Sequence, residues 1–308
     1  MPSSLEVRQG RVTNLPTEIN AAISVQSLAF SPLFDLSTTY FLIAGIAGVN
    51  PEIATICSVT FARYAVQVAL QYEISQFELP TNFSSGYVPQ GSKYNDQYPQ
   101  LLYGTEVFEF NQDLQHLAAE LARTATLKDS ALAAAYRANY ASSDRYAAGA
   151  ALPGVYECDV ATSDTYFSGA ILSEAFSNFT RLVTNGSGIY CTTQQEDNAT
   201  AEALLRAALA KLVDFSRVIV MRTASDFDRP YPGQAATTNL LWAEQGAFGP
   251  SFLNLYLAGI KIVRGILDEW DSKFEEGIAA SNYVGDIFGT LGGEPDFGPY
   301  IGSNSKWL

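Results

Sequence analysis

Histidine is almost missing from this chain: one residue, His116, in 308, together with only three cysteines and two methionines. That scarcity removes whole classes of chemistry. A His-rich metal site cannot be built, and Ser-His-Asp or Cys-His catalysis would have to run through His116 alone. It lies in Asn111-Gln-Asp-Leu-Gln-His-Leu-Ala-Ala-Glu-Leu121, where Leu114, Leu117, Ala118 and Leu121 form a helical apolar stripe. His116 falls on the other side with Gln112 and Arg123, so the spacing predicts a solvated helix histidine. Proton chemistry is left to carboxylates, tyrosines and backbone groups. Cys57, Cys158 and Cys191 form no C-x-x-C and no metal spacing. Cys158 and Cys191 each sit in or beside a strand-like run where a disulfide could form, but two buried thiols are expected.

Positive charge is also short. Eighteen Lys and Arg face 32 Asp and Glu, a net charge of −14 with a sequence pI near 4.4. Such a field repels phosphate backbones and excludes nucleic acid as a partner; an anionic substrate would need a local cluster of donors. No stretch reaches the roughly 18 apolar residues of a spanning helix. The best run, Tyr40 to Val49, stops at Asn50-Pro51, and Phe252 to Leu267 carries Asn254, Lys261 and Arg264. No membrane insertion is expected. The opening Met-Pro-Ser-Ser-Leu-Glu lacks the basic start and apolar run of a signal peptide. Four N-x-S/T sequons, at Asn82, Asn178, Asn185 and Asn198, hint at a secretory ancestry.

What is present is apolar bulk. Hydrophobic residues make up 47% and charged ones 16%, enough for a large core. Strand-like and helix-like runs alternate, the pattern of an α/β fold around a central sheet. Strands are expected at Val7–Thr13, Thr38–Ile46, Cys57–Ile74 (long, or a hairpin), Val155–Thr162, Gly188–Thr193 and Arg217–Thr223. Thr17 is read as the cap of a helix with Ile19, Ala22, Ile23 and Leu28 on its apolar face. Further helices are expected near Asn111–Thr124, Leu127–Tyr140 and Ser168–Val183. Another covers Glu196–Phe215, with Leu205, Leu209, Leu212 and Phe215 inward. The last, Pro250–Phe274, would turn Phe252, Tyr256, Ile260, Val263, Leu267 and Trp270 to the core. Phe77 to Tyr103 reads as a long loop, of the kind that often forms a lid. From 285 the chain reads as a loose tail, and with no linker or repeat it is taken as one domain, 1–308.

Four constellations could carry chemistry. Gly45-Ile-Ala-Gly48 reads as a glycine-flanked turn leaving a strand, where backbone amides could hold an anion or hydroxyl; tight packing explains it equally well. Gln194-Gln-Glu-Asp-Asn198 lies between a strand and a helix. It is an acidic helix start, or a carboxylate placed to grip a diol. Ser225-Asp-Phe-Asp-Arg229 follows the most apolar strand, where ligands of open α/β sheets bind. An Asp there should have a raised pKa and serve as a proton donor, or else cap a helix. Ser163-Asp-Thr-Tyr-Phe-Ser168 sets two aromatics at a strand-to-helix junction, for core packing or for stacking on a flat base.

At these points the chain resembles the fungal purine nucleoside permease family, whose members are similar to nucleoside phosphorylases rather than channels. The matching segments are Thr39-Tyr-Phe-Leu-Ile-Ala-Gly-Ile-Ala-Gly48, Ser58-Val-Thr-Phe-Ala-Arg-Tyr64, Leu70-Gln-Tyr-Glu-Ile74 and Ala161-Thr-Ser-Asp-Thr-Tyr-Phe-Ser-Gly169. The longest are Cys191-Thr-Thr-Gln-Gln-Glu-Asp-Asn-Ala-Thr200 and Val220-Met-Arg-Thr-Ala-Ser-Asp-Phe-Asp-Arg-Pro230. The likeness implies a three-layer α-β-α nucleoside phosphorylase-like fold with a mixed central sheet, and a homo-oligomer.

Through that family the order also resembles the methylthioadenosine nucleosidases. Carried over, Asp226 would protonate N7 of a purine and Ser225 would hold it. Glu196 would bind the ribose hydroxyls, and Tyr166 or Phe167 would stack on the base. Gly45, Ile46, Ala47 and Gly48 would flank the attacking phosphate or water. The resemblance implies cleavage of purine nucleosides with no cofactor, inorganic phosphate being the one candidate co-substrate. Nucleoside binding that assists uptake, or a scaffold repurposed in fungal secondary metabolism, are its alternatives. Departures are visible too. The likeness starts only near Glu18, so the N-terminus reads as truncated or rebuilt relative to the family. Val49 and Cys57 stand where glycine is expected, and Ile43 and Ile46 where bacterial purine phosphorylases bind phosphate with Arg and Ser. Phosphorolysis would then require Arg63, Arg222 or Arg229 at the site.

Overall fold

The computed structural model describes residues 17–298; the expected strand Val7–Thr13 lies outside them. In chain order, α1 (Glu18–Ala29) leads to β1 (Phe41–Val49), β2 (Val59–Ala62), β3 (Tyr64–Gln67), β4 (Gln71–Glu73), β5 (Tyr87–Pro89) and β6 (Val107–Glu109). Then come α2 (Gln112–Arg123), α3 (Ala131–Arg137), β7 (Val155–Glu157), β8 (Asp159–Thr162), α4 (Ala170–Val183), β9 (Tyr190–Gln194) and α5 (Asp197–Leu209). The chain continues through β10 (Val218–Phe227), α6 (Ala236–Leu241), α7 (Phe248–Asp268) and β11 (Gly285–Asp286).

Nine strands form one mixed sheet, ordered β11-β6-β3-β8-β9-β1-β10-β2-β7. β2 and β3 are a single run broken only at Arg63, and β7 and β8 a single run broken only at Cys158. The two runs pair in parallel along their length, bridged between strands by Cys158 N–H donating to the Phe61 carbonyl at 3.0 Å. β8 pairs with β9, β9 with β1, β1 with β10, and β10 returns to β2. The sheet therefore curls until it closes on itself, which removes exposed edges from its centre.

Helices cover this sheet on both sides, and β10 records the layering residue by residue. Val218 and Val220 join the cluster under α5 and α1, while Ile219 and Met221 join the one under α2 and α7. That is the period-2 alternation of a strand buried on both faces. The expected three-layer α/β architecture with a mixed sheet is the one observed.

Several sequence readings shift. Thr17 holds the N-cap position of α1, but its side chain caps nothing and accepts from Asn20 instead. The buried face of α1 is Ala21, Val25 and Ala29, small residues that let it lie close on α5, so Ile19 and Ile23 point outward. α5 ends at Leu209, and Leu209 and Leu212 are exposed; Ala201, Leu204, Leu205 and Ala207 face inward. On α7 the core side is Ser251, Asn254, Ala258, Gly259, Ile262 and Ile266, with Phe252 and Tyr256 outside. Small residues again line it, with Ala258 and Gly259 against Met221 and Leu42, where a Cβ on Gly259 would make ordinary contacts at 3.5 and 3.6 Å. The polar members are fully used, Ser251 donating to the Ala224 carbonyl and Asn254 to those of Cys57 and Lys128. A hydrophobicity pattern cannot reveal a core side built that way.

The segment expected as a long loop carries β5, paired with β4 in a small second sheet. The expected loose tail is packed as far as it is described: β11 pairs with β6, and Ile287 and Phe297 are wholly buried. Residues 299–308 lie outside the described residues. Cys57 takes φ 69°, a backbone region that favours glycine, consistent with the glycine expected there. Cys158 and Cys191 form a disulfide rather than two thiols, because the β7–β8 break sets Cys158 beside β9 with the Cα atoms 5.6 Å apart. Three sequon asparagines, Asn82, Asn178 and Asn185, are exposed. Asn198 is buried in α5, donating to the carbonyls of Ala65 and Thr105 and accepting from Thr162.

The disulfide closes a separation of 33 residues. Replacing both cysteines with alanine is expected to lower unfolding stability by about 2–4 kcal/mol. Urea denaturation of wild type and double variant checks this, and an unchanged midpoint would contradict it.

Candidate functional site

The carboxyl ends of β1, β8, β9 and β10 converge, and the candidate residues gather there. Position along β10 accounts for Arg222. Its side chain leaves the strand on the same face as Val218 and Val220, but one step further on, where the apolar cluster gives way to the start of α5. Arg222 is 1% exposed. Its Nε donates to Asp197 Oδ2 at 3.1 Å and its Nη2 to Asp197 Oδ1, while Nη1 donates to Glu196 Oε1 at 2.8 Å and to the Ile46 carbonyl at 3.3 Å. Burial opposes the guanidinium charge, but Asp197 and Glu196 outweigh it and hold the group protonated. Both Asp197 oxygens accept from the guanidinium; burial raises the Asp197 pKa, Arg222 pulls it down, and Glu196 adds to the rise.

Glu196 is the N-cap residue of α5 and Asp197 its first helical residue, where the helix N-terminus favours negative charge. The capping itself is done by Gln194, whose Oε1 accepts from the backbone N–H of Glu196 and Asp197 at 2.7 and 2.8 Å. Glu196 is thereby released to turn its carboxylate to Arg222.

Gly45 to Gly48 form no turn: all four residues belong to β1, paired in parallel with β10 from Gly45↔Arg222 to Gly48↔Asp226. Neither glycine has a positive φ, so no anion-binding nest forms. Glycine is needed for close approach instead. A Cβ on Gly45 would sit 2.2 Å from Arg222 Nη1, and one on Gly48 2.5 Å from Thr193 Oγ1 and 3.4 Å from Asp226 Oδ2. Between them Ser225 is the extra residue of a β-bulge opposite the Ala47–Gly48 step, a device that re-aims the following side chain.

That following residue is Asp226, inside β10 rather than after it as expected, because the bulge lets pairing continue to Phe227. Its Oδ1 accepts from Ser225 Oγ at 2.7 Å and its Oδ2 from Tyr166 Oη at 2.8 Å. Burial raises its pKa; the Ser225 and Tyr166 bonds pull it down, and Asp228 adds to the rise. Ser225 also reaches the Ala47 carbonyl at 3.2 Å. Tyr166, on the loop after β8, is well exposed apart from this contact. Phe167 turns away into the core, edge-on to Phe176 with centroids 4.6 Å apart.

Asp226, Ser225, Tyr166, Glu196 and Arg222 thus share one region bordered by Gly45 to Gly48, and Phe167 does not join it. Two contributors escaped the sequence reading. Asp197 was visible only as part of an acidic helix start, and Gln194 as one of several polar residues. His116 lies apart, half exposed on α2 against Glu157, which also accepts from Arg123. Among the described residues no cluster of His, Cys, Asp and Glu could hold a metal ion, and no helix is long and apolar enough to cross a membrane.

A mixed α/β sheet thus carries a partly buried aspartate and an arginine-clamped carboxylate pair at its strand ends, the place where open α/β sheets bind ligands. The chain belongs to the purine nucleoside permease family, whose family model matches residues 8–279. The match begins before Glu18, earlier than the quoted segments indicated. A purine nucleoside permease of Candida albicans is 46% identical over 294 residues, covering 94% of this chain and 71% of the relative. A probable purine nucleoside permease of Schizosaccharomyces pombe is 40% identical over 259 residues, covering 82% and 73%. Among solved structures, a 5'-methylthioadenosine/S-adenosylhomocysteine nucleosidase of Neisseria meningitidis aligns at TM-score 0.45 and 14% identity, over 81% of this chain and 78% of that one. A futalosine hydrolase of Helicobacter pylori aligns at TM-score 0.41 and 14% identity, over 80% and 76%. Likeness of that size says nothing of activity.

A carboxyl raised by burial weakens the fold when ionised. Between the unfolded aspartate pKa near ~3.9 and the raised native value, the folded state binds more protons, so stability falls as pH rises. Asp226→Asn is expected to stabilise the protein at neutral pH, by an amount that shrinks as pH drops toward 4. Melting temperatures across pH for both proteins check this; a destabilised variant at pH 7 would contradict it.

Proposed function

We propose that this chain binds purine nucleosides and cleaves their N-glycosidic bond, with Asp226 as general acid and Glu196 as the ribose-binding carboxylate. The observation that carries the reading is the pairing of two unlike carboxylates on one strand-end region. Asp226 is partly buried, held by two hydroxyls and raised in pKa. Glu196 is partly open and anchored by an arginine. The two carboxyls thus meet different partners, hydroxyls at one and a guanidinium at the other, the contrast that suits an acid and a ribose-binding group.

Bond breaking at C1′ leaves a purine that gathers negative charge and a sugar that becomes oxocarbenium-like. Asp226 delivers a proton to N7 of the purine while Ser225 keeps its carboxyl oriented. Glu196 holds the ribose hydroxyls and its charge supports the positive sugar. Tyr166 stacks on the base. Its hydroxyl donates to Asp226 Oδ2, the bond that a base would exchange for one to N7. Gly45 to Gly48 border the region along β1, where the sugar and its acceptor would lie. No cofactor takes part.

The second reading is a nucleoside-binding protein that assists uptake, favoured by the naming of the relatives as permeases. With no spanning helix among the described residues, that role would be exercised through binding. Chromatography of free purine released from adenosine, guanosine and inosine separates the two. Asp226→Asn is expected to lower the release rate by about 10²–10⁴-fold with nucleoside affinity nearly unchanged. Tight binding with no release from wild type would leave the binding reading.

A further inference from the structure

We propose that the acceptor in this site is water and that inorganic phosphate is excluded from it, because carboxylates already hold Arg63, Arg222 and Arg229, the candidate arginines among the described residues. The inference rests on the cleavage reading above and names its second substrate.

Phosphorolysis needs a cation at the reacting centre, and Arg63, Arg222 and Arg229 were the candidates. Arg63 is turned to Glu109, donating through Nε at 2.7 Å with Nη2 at 2.5 Å from the same oxygen, and Asp296 lies 4.0 Å from it. Arg229 is held by Asp228 through Nε and Nη2 at 2.9 and 3.1 Å and by Glu52 through Nη1 at 2.6 Å. Arg222 borders the site, but all three of its nitrogens are committed to Asp197, Glu196 and the Ile46 carbonyl. Arg222 faces two carboxylates, Arg229 faces Asp228 and a Glu52 that Arg145 shares, and Arg63 faces Glu109 with Asp296 further off.

A phosphate dianion approaching Arg222 would have to displace a carboxylate, leaving that charge buried and unpaired beside the incoming one. The backbone offers no substitute, since Gly45 to Gly48 run extended in β1 and make no nest. The whole-chain charge of −14 adds to the repulsion. The same negative field favours the positive sugar and leaves a neutral acceptor untouched. In the step this implies, the water oxygen bonds to C1′ as the C1′–N9 bond breaks. The electron pair of that bond passes to the purine, which takes a proton from Asp226 at N7. The water proton leaves to solvent, from which Asp226 is reprotonated, and the products are free purine and free ribose.

Purine release by the wild-type chain, with and without inorganic phosphate at equal ionic strength, tests the inference together with identification of the sugar product. The expected result is equal rates and free ribose. Ribose 1-phosphate, or a rate rising tenfold and saturating with phosphate, would overturn it and leave cleavage standing. No purine in either buffer would overturn both. Calorimetric titration of inorganic phosphate into the ligand-free protein gives a readout independent of turnover: none is expected to bind wild type, and saturable binding would overturn the exclusion. Asp197→Asn, which removes one of the two carboxylates on Arg222, is expected to gain at least tenfold in phosphate affinity. A folded Asp197→Asn chain that gains nothing would refute the assignment to these carboxylates.

Discussion

A guanidinium with no access to water has to be neutralised where it lies, and the neutralisation of Arg222 sets the local design. Its approach to α5 forbids any side chain at position 45 of β1. Its charge calls for Asp197 at the first position of α5, and its remaining nitrogen fixes where Glu196 points. Gln194 must then do the capping that an acidic N-cap residue would otherwise do. A strand, a neighbouring strand and a helix start thus share one electrostatic constraint, and none of these four positions can change independently.

The opposite end of the region obeys a different logic. Asp226 has no cation beside it; its partners are two neutral hydroxyls, and its neighbouring charge is another aspartate. One carboxylate pair thus lies against a guanidinium, while another carboxyl has only hydroxyl partners and is pushed toward protonation by burial. They belong to two strand ends of one curled sheet, so the difference comes from where the chain places each group rather than from residue type.

Much of this was legible in the sequence. Strand and helix order followed from hydrophobic period, and Asp226, Ser225, Tyr166 and Glu196 stood out in polar clusters at strand ends; Arg222 entered only as an anion-binding candidate through the family resemblance. Failures concentrate where burial depends on smallness or on polar satisfaction. Ala258 and Gly259 set the inner side of α7, and Ser251 and Asn254 lie inside because carbonyls await them. An apolar-stripe count therefore chose Phe252 and Tyr256 instead. Gly45 and Gly48 suggested a turn because glycine usually marks backbone freedom, whereas here it marks the approach of Arg222, Thr193 and Asp226. Asp197 was hidden because an aspartate at a helix start has an ordinary explanation; only its pairing partner, 25 residues away, makes it distinctive.

Asn198 carries a consequence for how the chain could be handled in a cell. Its amide is hydrogen-bonded on both sides deep beneath β3 and β8, yet with Thr200 it spells an acceptor sequence for oligosaccharyl transfer. A sugar attached there could not be accommodated by the finished fold. Native packing of α5 and modification of this asparagine therefore exclude one another.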